Sequence, residues 1–468
     1  MRLWLEFFKC VFNLRKACSR TSTFVWMVFA LIGFSTNPDK AGVTSLVRAS
    51  FMKSRFYPSF LHFFNSSVLK VHQLTTCWIS LALKLFRPVL FEGHLVLLLD
   101  GLKVPKEGKK MPAVKKLRQP SANNSKAPFI FGHSFQALGL LVHASSNSVQ
   151  SIPLAARIHE GIILSSLHKK NLYQKAHLLL SSLFSRIPQP LLIVADAYYA
   201  TESFLSLLLN EDNHLLTRVK HNAVAFKEAH RSCRRKRGRP KLYGEKVVFR
   251  DLWEKENLFK EATMSFYGGP PVTFRYCFMD LLWKPAQRKV RFILVEHPYK
   301  GRIILMTTML SMDPFSAIRL YAARFKIEVA FKTAIHTVGA FAYRFWTKLW
   351  KPNKGRRGDQ FLHKKGKMYR EKSMAKIDAY HRFIQLGFIG QGLLLHLAIN
   401  FGNLVWASFP TWLRTMRTNS APSEWVVAET LKSLLPQFLL GKAENPALKK
   451  FLAGKIDLDK PPGIRLSA

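Results

Sequence analysis

"PLLIVADAYYA", residues 190–200, ends a short apolar run on a carboxylate. Leu191 to Ala195 form an unbroken hydrophobic stretch of the kind that is buried on both faces of a sheet, and Asp196 stands where it stops. A charge at the end of a buried strand is costly unless something compensates it. The same construction occurs earlier in "HLVLLLDGLKV" (94–104), where Asp100 follows the apolar run. Adjacent strands ending in this way would place two carboxylates a few ångströms apart, where they repel unless a cation lies between them. Mg²⁺, which takes carboxylate, water and phosphate oxygens, is the economical answer. The bland alternative for either aspartate alone is the capping of a following turn.

Around these two stretches the pattern is that of a mixed α/β domain. "FQALGLLVHAS" and "VQSIPLAARI" are predicted strands, "AHLLLSSLFSRI" is a predicted helix, and "HLLTRVKHNA" (214–223) is a predicted fifth strand. Strand, strand, strand, helix, strand is the opening order of a ribonuclease H-like domain, although periodicity alone fits other mixed folds equally well. "HRSCRRKRGRPKLYG" cannot be continuous helix or strand, and "VTFRYCFMDLLW", "KVRFILVEH" and "RIILMTTM" are further strands. Helical periodicity returns near residue 313. The expected organisation is a helical region at 1–88, a first part of the α/β core at 89–220, and a β-rich basic insertion at 221–302. The second part of the core follows at 303–410, with a helical region at 411–468.

In "RLYAARFKIEVAFKTAIHTVGAF", Leu320, Ala323, Ile327, Phe331, Ala334 and Val338 form one apolar helical stripe. Tyr321, Arg324, Glu328 and Lys332 follow on a neighbouring stripe carrying a phenol, two cations and the third candidate carboxylate. An ordinary solvated face with ion pairs one turn apart is the competing reading.

The formal charge is +44, with Lys+Arg 72 against Asp+Glu 28, yet 48% of the residues are hydrophobic. Such a chain is too apolar for a disordered basic tail, and a folded surface this positive suits a polyanion, most often nucleic acid. A membrane is the competing partner. "FVWMVFALIGF" (24–34) is much shorter than the roughly 20 residues of a spanning helix and is expected to be a buried helix. The cysteines (Cys10, Cys18, Cys77, Cys233, Cys277) have no paired spacing, which suits reduced thiols in a cytoplasmic protein.

In this order, two strand-end aspartates, an insertion and a Tyr-x-x-Arg-x-x-x-Glu helix, the chain resembles a DDE transposase of a bacterial insertion sequence over roughly residues 90–345. "KRGRPKLYG" and "RLYAARFKIEVAFK" carry the likeness as well. The resemblance implies a ribonuclease H-like catalytic core with a β-rich insertion and flanking helical regions. It also implies two Mg²⁺ ions, replaceable by Mn²⁺, held by Asp100, Asp196 and Glu328, and metal-dependent cleavage and strand transfer of double-stranded DNA. The implied partners are the terminal repeats and target DNA, bound by a homodimer in the bacterial cytoplasm near the nucleoid, with no membrane and no small-molecule substrate. Tyr321, Arg324 and Lys332 are the expected DNA contacts on the helix, joined by Lys109 and Lys110 after Asp100 and by Arg235, Arg237 and Arg239 in the basic run. Lys103, Lys106, Lys115 and Lys116 are expected to add backbone affinity. One departure from the family pattern stands out: Ile335 occupies the position of a family lysine, and Lys332 is the nearest substitute. A catalytically silent DNA-binding descendant and a nuclease that cuts without joining are the alternatives.

Overall fold

The computed structural model describes residues 2–37, 39, 42–119, 127–165, 171–184, 187–229, 241–266, 269–350, 358–440 and 454–457. Five helices open the chain: α1 (Arg2–Phe12), α2 (Thr21–Ser35), α3 (Val43–Ala49), α4 (Tyr57–Asn65) and α5 (Val71–Leu85). Three long strands follow, β1 (His94–Pro105), β2 (Phe129–Ser145) and β3 (Ser148–Ile158), then α6 (Leu172–Phe184), β4 (Leu191–Ala195), α7 (Glu202–Leu209) and β5 (His214–Val219). The next block supplies β6 (Val224–Glu228), β7 (Tyr243–Val248), β8 (Lys260–Ser265), β9 (Pro271–Trp283), β10 (Arg288–His297) and β11 (Gly301–Thr307). The chain then returns to helix in α8 (Pro314–Ala323), α9 (Phe325–Thr333), α10 (Lys367–Asn400) and α11 (Glu424–Leu440).

One sheet dominates the molecule, with its long strands in the order β3-β2-β1-β4-β5-β11-β10-β9-β6-β7. β2 pairs antiparallel with both β1 and β3, whereas β1, β4 and β5 run parallel. Leu95 to Leu99 and Leu191 to Ala195 are buried throughout, as a central parallel pair covered on both faces requires. The strands of the 221–302 block do not form a layer of their own: β11 pairs antiparallel with β5, Ile304 opposite Val219, and carries the sheet outward through β10 and β9.

The N-terminal helices share their core with the C-terminal ones. Trp4 is fully buried and its indole Nε1 donates to the carbonyl of Leu431 on α11 at 3.0 Å. α2, which contains the "FVWMVFALIGF" stretch, is buried along most of its length. α10 is the one helix among the described residues long and apolar enough to cross a membrane, and 83% of its apolar window lies inside the protein. It covers the outer edge of the sheet instead. Gln385 Nε2 donates to the Leu154 carbonyl at 2.8 Å, the Ile158 amide donates to His381 Nε2 at 3.0 Å, and Trp78 Nε1 of α5 donates to the Pro153 carbonyl at 3.0 Å. Side chains thus satisfy backbone groups on β3 that an open edge would offer to another strand.

Candidate active site

The two aspartates arise from one feature of the sheet. The parallel pairing of β1 with β4 runs from Leu95 opposite Leu191 to Leu99 opposite Ala195, and Asp100 and Asp196 are the next residues on each chain. This is the carboxyl end of two parallel strands, where open α/β sheets place their ligands. The expectation for Asp100 needs one correction. β1 does not stop there but continues to Pro105, paired with β2 alone, so only the neighbour on one side ends. Asp196 does leave its strand and caps a single turn at Ala197–Tyr199. Each carboxylate accepts the amide of the residue after it at 2.7 Å, Asp100 from Gly101 and Asp196 from Ala197.

The helix stripe behaves as its spacing predicts. Leu320, Ala323, Ile327, Phe331, Ala334 and Val338 are all buried. The helix is interrupted at Arg324, between α8 and α9. Arg324 faces the acids: Nη1 donates to Asp100 Oδ2 at 2.8 Å and Nη2 to Glu328 Oε1 at 2.7 Å. One planar guanidinium therefore bridges two carboxylates, one of them 224 positions away in the chain and the other a single helical turn on, a geometry that a lysine cannot reproduce. The Asp100 and Arg324 side chains are only 18% and 17% exposed, against 42% for Glu328.

Burial pushes the Asp100 carboxyl up to about 6, with Arg324 and the Gly101 amide opposing the rise and the negative charges of Glu328 and Asp196 adding to it. Burial works against the charge of Arg324, but Asp100, Tyr321 and Glu328 outweigh it and hold the guanidinium protonated. Among the described residues no group of three or more His, Cys, Asp or Glu side chains is arranged to hold one metal ion, and Arg324 occupies an oxygen of both Asp100 and Glu328.

Beside the acids lies a cavity of about 430 Å³ whose lining includes Asp196, Tyr321 and Arg324, with Arg218 of β5, His297 of β10 and Phe266. Tyr321 is part-buried, its ring 5.9 Å from the Arg324 guanidinium carbon. Arg218, His297 and Phe266 went unnoticed in the sequence, where nothing marks them out; the pairing of β11 with both β5 and β10 brings Arg218 and His297 here, and Phe266 follows β8, which pairs with β9.

Lys332 is exposed on α9, and Lys109 and Lys110 are exposed on the loop after β1. Arg235, Arg237 and Arg239 lie outside the described residues. Lys106 and Lys115 are not surface cations. Lys106 Nζ turns inward to the carbonyls of Phe341 and Tyr343 and sits 3.8 Å above the Tyr343 ring, and burial lowers it to about 7. Lys115 pairs with Glu160 and Asp359, each at 2.9 Å. Tyr199 is buried against Phe204, whereas Tyr198 remains 44% exposed. His133 is fully buried between the Tyr343 hydroxyl (2.6 Å) and the Pro112 carbonyl (2.8 Å), which makes it a structural residue.

Compared with known proteins, the chain matches the family model described as DDE superfamily endonuclease over residues 7–265. That span includes Asp100 and Asp196 and stops short of Glu328. No curated protein matches the chain.

Proposed function

The chain belongs to the DDE superfamily of endonucleases, and from that premise we propose that it is a transposase that binds the ends of its own insertion sequence, cleaves DNA there and joins the freed ends to a target. The observation that carries this reading is the placement of Asp100 and Asp196 side by side where the parallel pairing stops, with Glu328 drawn toward them through Arg324. The strand order β3-β2-β1-β4-β5, three antiparallel strands followed by two parallel ones, supports a ribonuclease H-like core.

The donor set suits Mg²⁺ or Mn²⁺: the candidate ligands are all carboxylate oxygens, and three acids against one guanidinium leave the cluster two negative charges in excess. Asp100, Asp196 and Glu328 would hold the metal, which when bound supplies Lewis-acid activation of the attacking hydroxyl and neutralises charge at the phosphodiester. The chain's own groups do the rest. Arg324 opposes the burial that raises the Asp100 pKa, donates to both Asp100 and Glu328, and competes with any divalent ion for their oxygens. Tyr321 and Arg218 line the cavity beside Asp196, and the exposed Lys332, Lys109 and Lys110 would bind and orient a DNA backbone leading to it. Two copies acting on paired ends would complete the machinery.

The test incubates purified protein with labelled DNA carrying both flanks of its gene and Mg²⁺ or Mn²⁺. Cleavage at the ends and joining to a second duplex are expected. Asp196→Asn and Glu328→Gln should each reduce the rate by at least about 10³-fold while DNA binding persists, a loss in the range seen when a transition-state charge stabiliser is removed. Binding without cleavage in the wild type would instead identify a silent DNA-binding protein, and cleavage surviving both substitutions would place the site elsewhere.

A further inference from the structure

A second cavity, of about 880 Å³, opens between α5, α6, β3 and α10, and its charged lining is almost wholly basic: Lys70, Arg157, Lys175 and Arg382 face the single carboxylate Asp378. Arg382 is 4% exposed, and its Nε and Nη1 donate to the carbonyls of Leu69 and Phe64, each at 2.7 Å. Arg157 is held by the Ala156 carbonyl and the Thr75 hydroxyl, at 2.9 and 2.8 Å, with a longer contact to Gln385. Among the described residues neither guanidinium forms an ion pair with a carboxylate. Asp378 acts on both guanidinium charges from within the lining, but one carboxylate against four cations leaves the cavity net positive, which suits an anionic ligand. His159 adds an independent sign: it lines the same cavity, is 8% exposed, and its Nδ1 has no hydrogen-bond partner.

The cavity is separate from the acids. Gln136, which lines it, lies opposite Gly101 in the sheet, whereas Asp100 lies opposite Ala137. Successive side chains point to opposite faces, so the cavity and the carboxylates occupy different faces of β1 and β2. The volume lies in the range of about 300–1,000 Å³ that holds small organic ligands, and Val71, Leu178 and Leu179 give it an apolar wall.

We propose that this cavity binds a small phosphorylated ligand of nucleotide size, its phosphates held by Arg157, Arg382, Lys70 and Lys175 and its apolar portion set against Val71, Leu178 and Leu179. Carbonyls and the Thr75 hydroxyl hold the two guanidiniums in place, so their charge is fixed at the cavity and does not have to be ordered when a phosphate binds.

The experiment follows thermal unfolding of the full chain with ADP, adenosine, pyrophosphate or a short DNA duplex. ADP and pyrophosphate should raise the transition temperature saturably, and adenosine should not. Because the whole chain carries +44, the site is distinguished from general anion attraction by two exposed substitutions. Lys70→Glu, at the rim, should raise the half-saturating ADP concentration about tenfold or more, as reversal of one close charge does. Lys246→Glu, on β7, should leave it unchanged. No stabilisation by ADP or pyrophosphate overturns the proposal, as does equal weakening by both substitutions. Stabilisation by the duplex that Lys70→Glu abolishes, with ADP inert, would assign the cavity to DNA and overturn it equally.

Discussion

Lys106 shows how a basic chain can carry a cation it does not display. Its amine lies over the Tyr343 ring and donates to two main-chain carbonyls, and burial lowers its pKa from 10.5 to about 7. In the unfolded chain the amine keeps its proton up to a much higher pH. Between about pH 7 and 10.5 the unfolded state therefore binds more protons than the folded one, so this residue's contribution to stability rises with pH across that window and is flat below about 7, where both states hold the proton. Lys106→Met keeps the stem and removes the titration. Chemical denaturation at several pH values should show the stability difference, wild type minus variant, climbing from pH 7 to 10; a flat difference would mean that the amine is solvated. The sequence could not reveal this, because "GLKVPKEGKK" offers lysines of identical appearance, and only the tertiary fold turns one of them inward. Asp100 and Asp196 were legible for the opposite reason: an acid that ends an apolar run has few explanations.

At the scale of elements, strands and helices announce themselves by period, and the segments expected at Asp100, Asp196 and Glu328 all form. What periodicity leaves out is adjacency. Nothing in "RIILMTTM" says that it lies beside "HLLTRV", so the continuation of the sheet through β11 was not readable, nor were the cavity residues that it delivers. The interruption at Arg324 was equally hidden, since the apolar stripe runs through it without a change of spacing. α10 holds a comparable hidden constraint. Gly387 packs so closely on Ala340 that a β-carbon there would stand 2.4 Å from the Ala340 Cβ and 2.7 Å from its Cα. Gly387→Ala would gain up to about 1 kcal/mol of helix propensity, against about 1–3 kcal/mol or more for overpacking a contact that includes backbone. A net fall in stability on denaturant titration is expected, and a gain would show that the two segments separate freely.

On the scale of the whole molecule, the helices before the sheet and those after it form one core, with α1 against α11, α2 against α10 and α5 against both α10 and β3. Removing residues 1–88 should therefore not release a folded catalytic part. It would strip Trp78 from the Pro153 carbonyl, Trp4 from Leu431, and the cover from much of α10. Circular dichroism and calorimetry of the truncated chain should show loss of the cooperative transition, whereas a sharp transition near that of the full chain would mean that the N-terminal helices are a detachable unit.

The bond from Trp4 to Leu431 also has a meaning in time. The two residues are 427 positions apart, and a ribosome adding about 5–20 residues per second needs on the order of 20–85 s to travel between them. Throughout that interval α1 waits with Trp4 and Phe8 lacking their partner Phe438. It is thus sealed long after it is made, and while the chain between is synthesised it stays a sticky apolar helix that a chaperone could hold until α11 arrives.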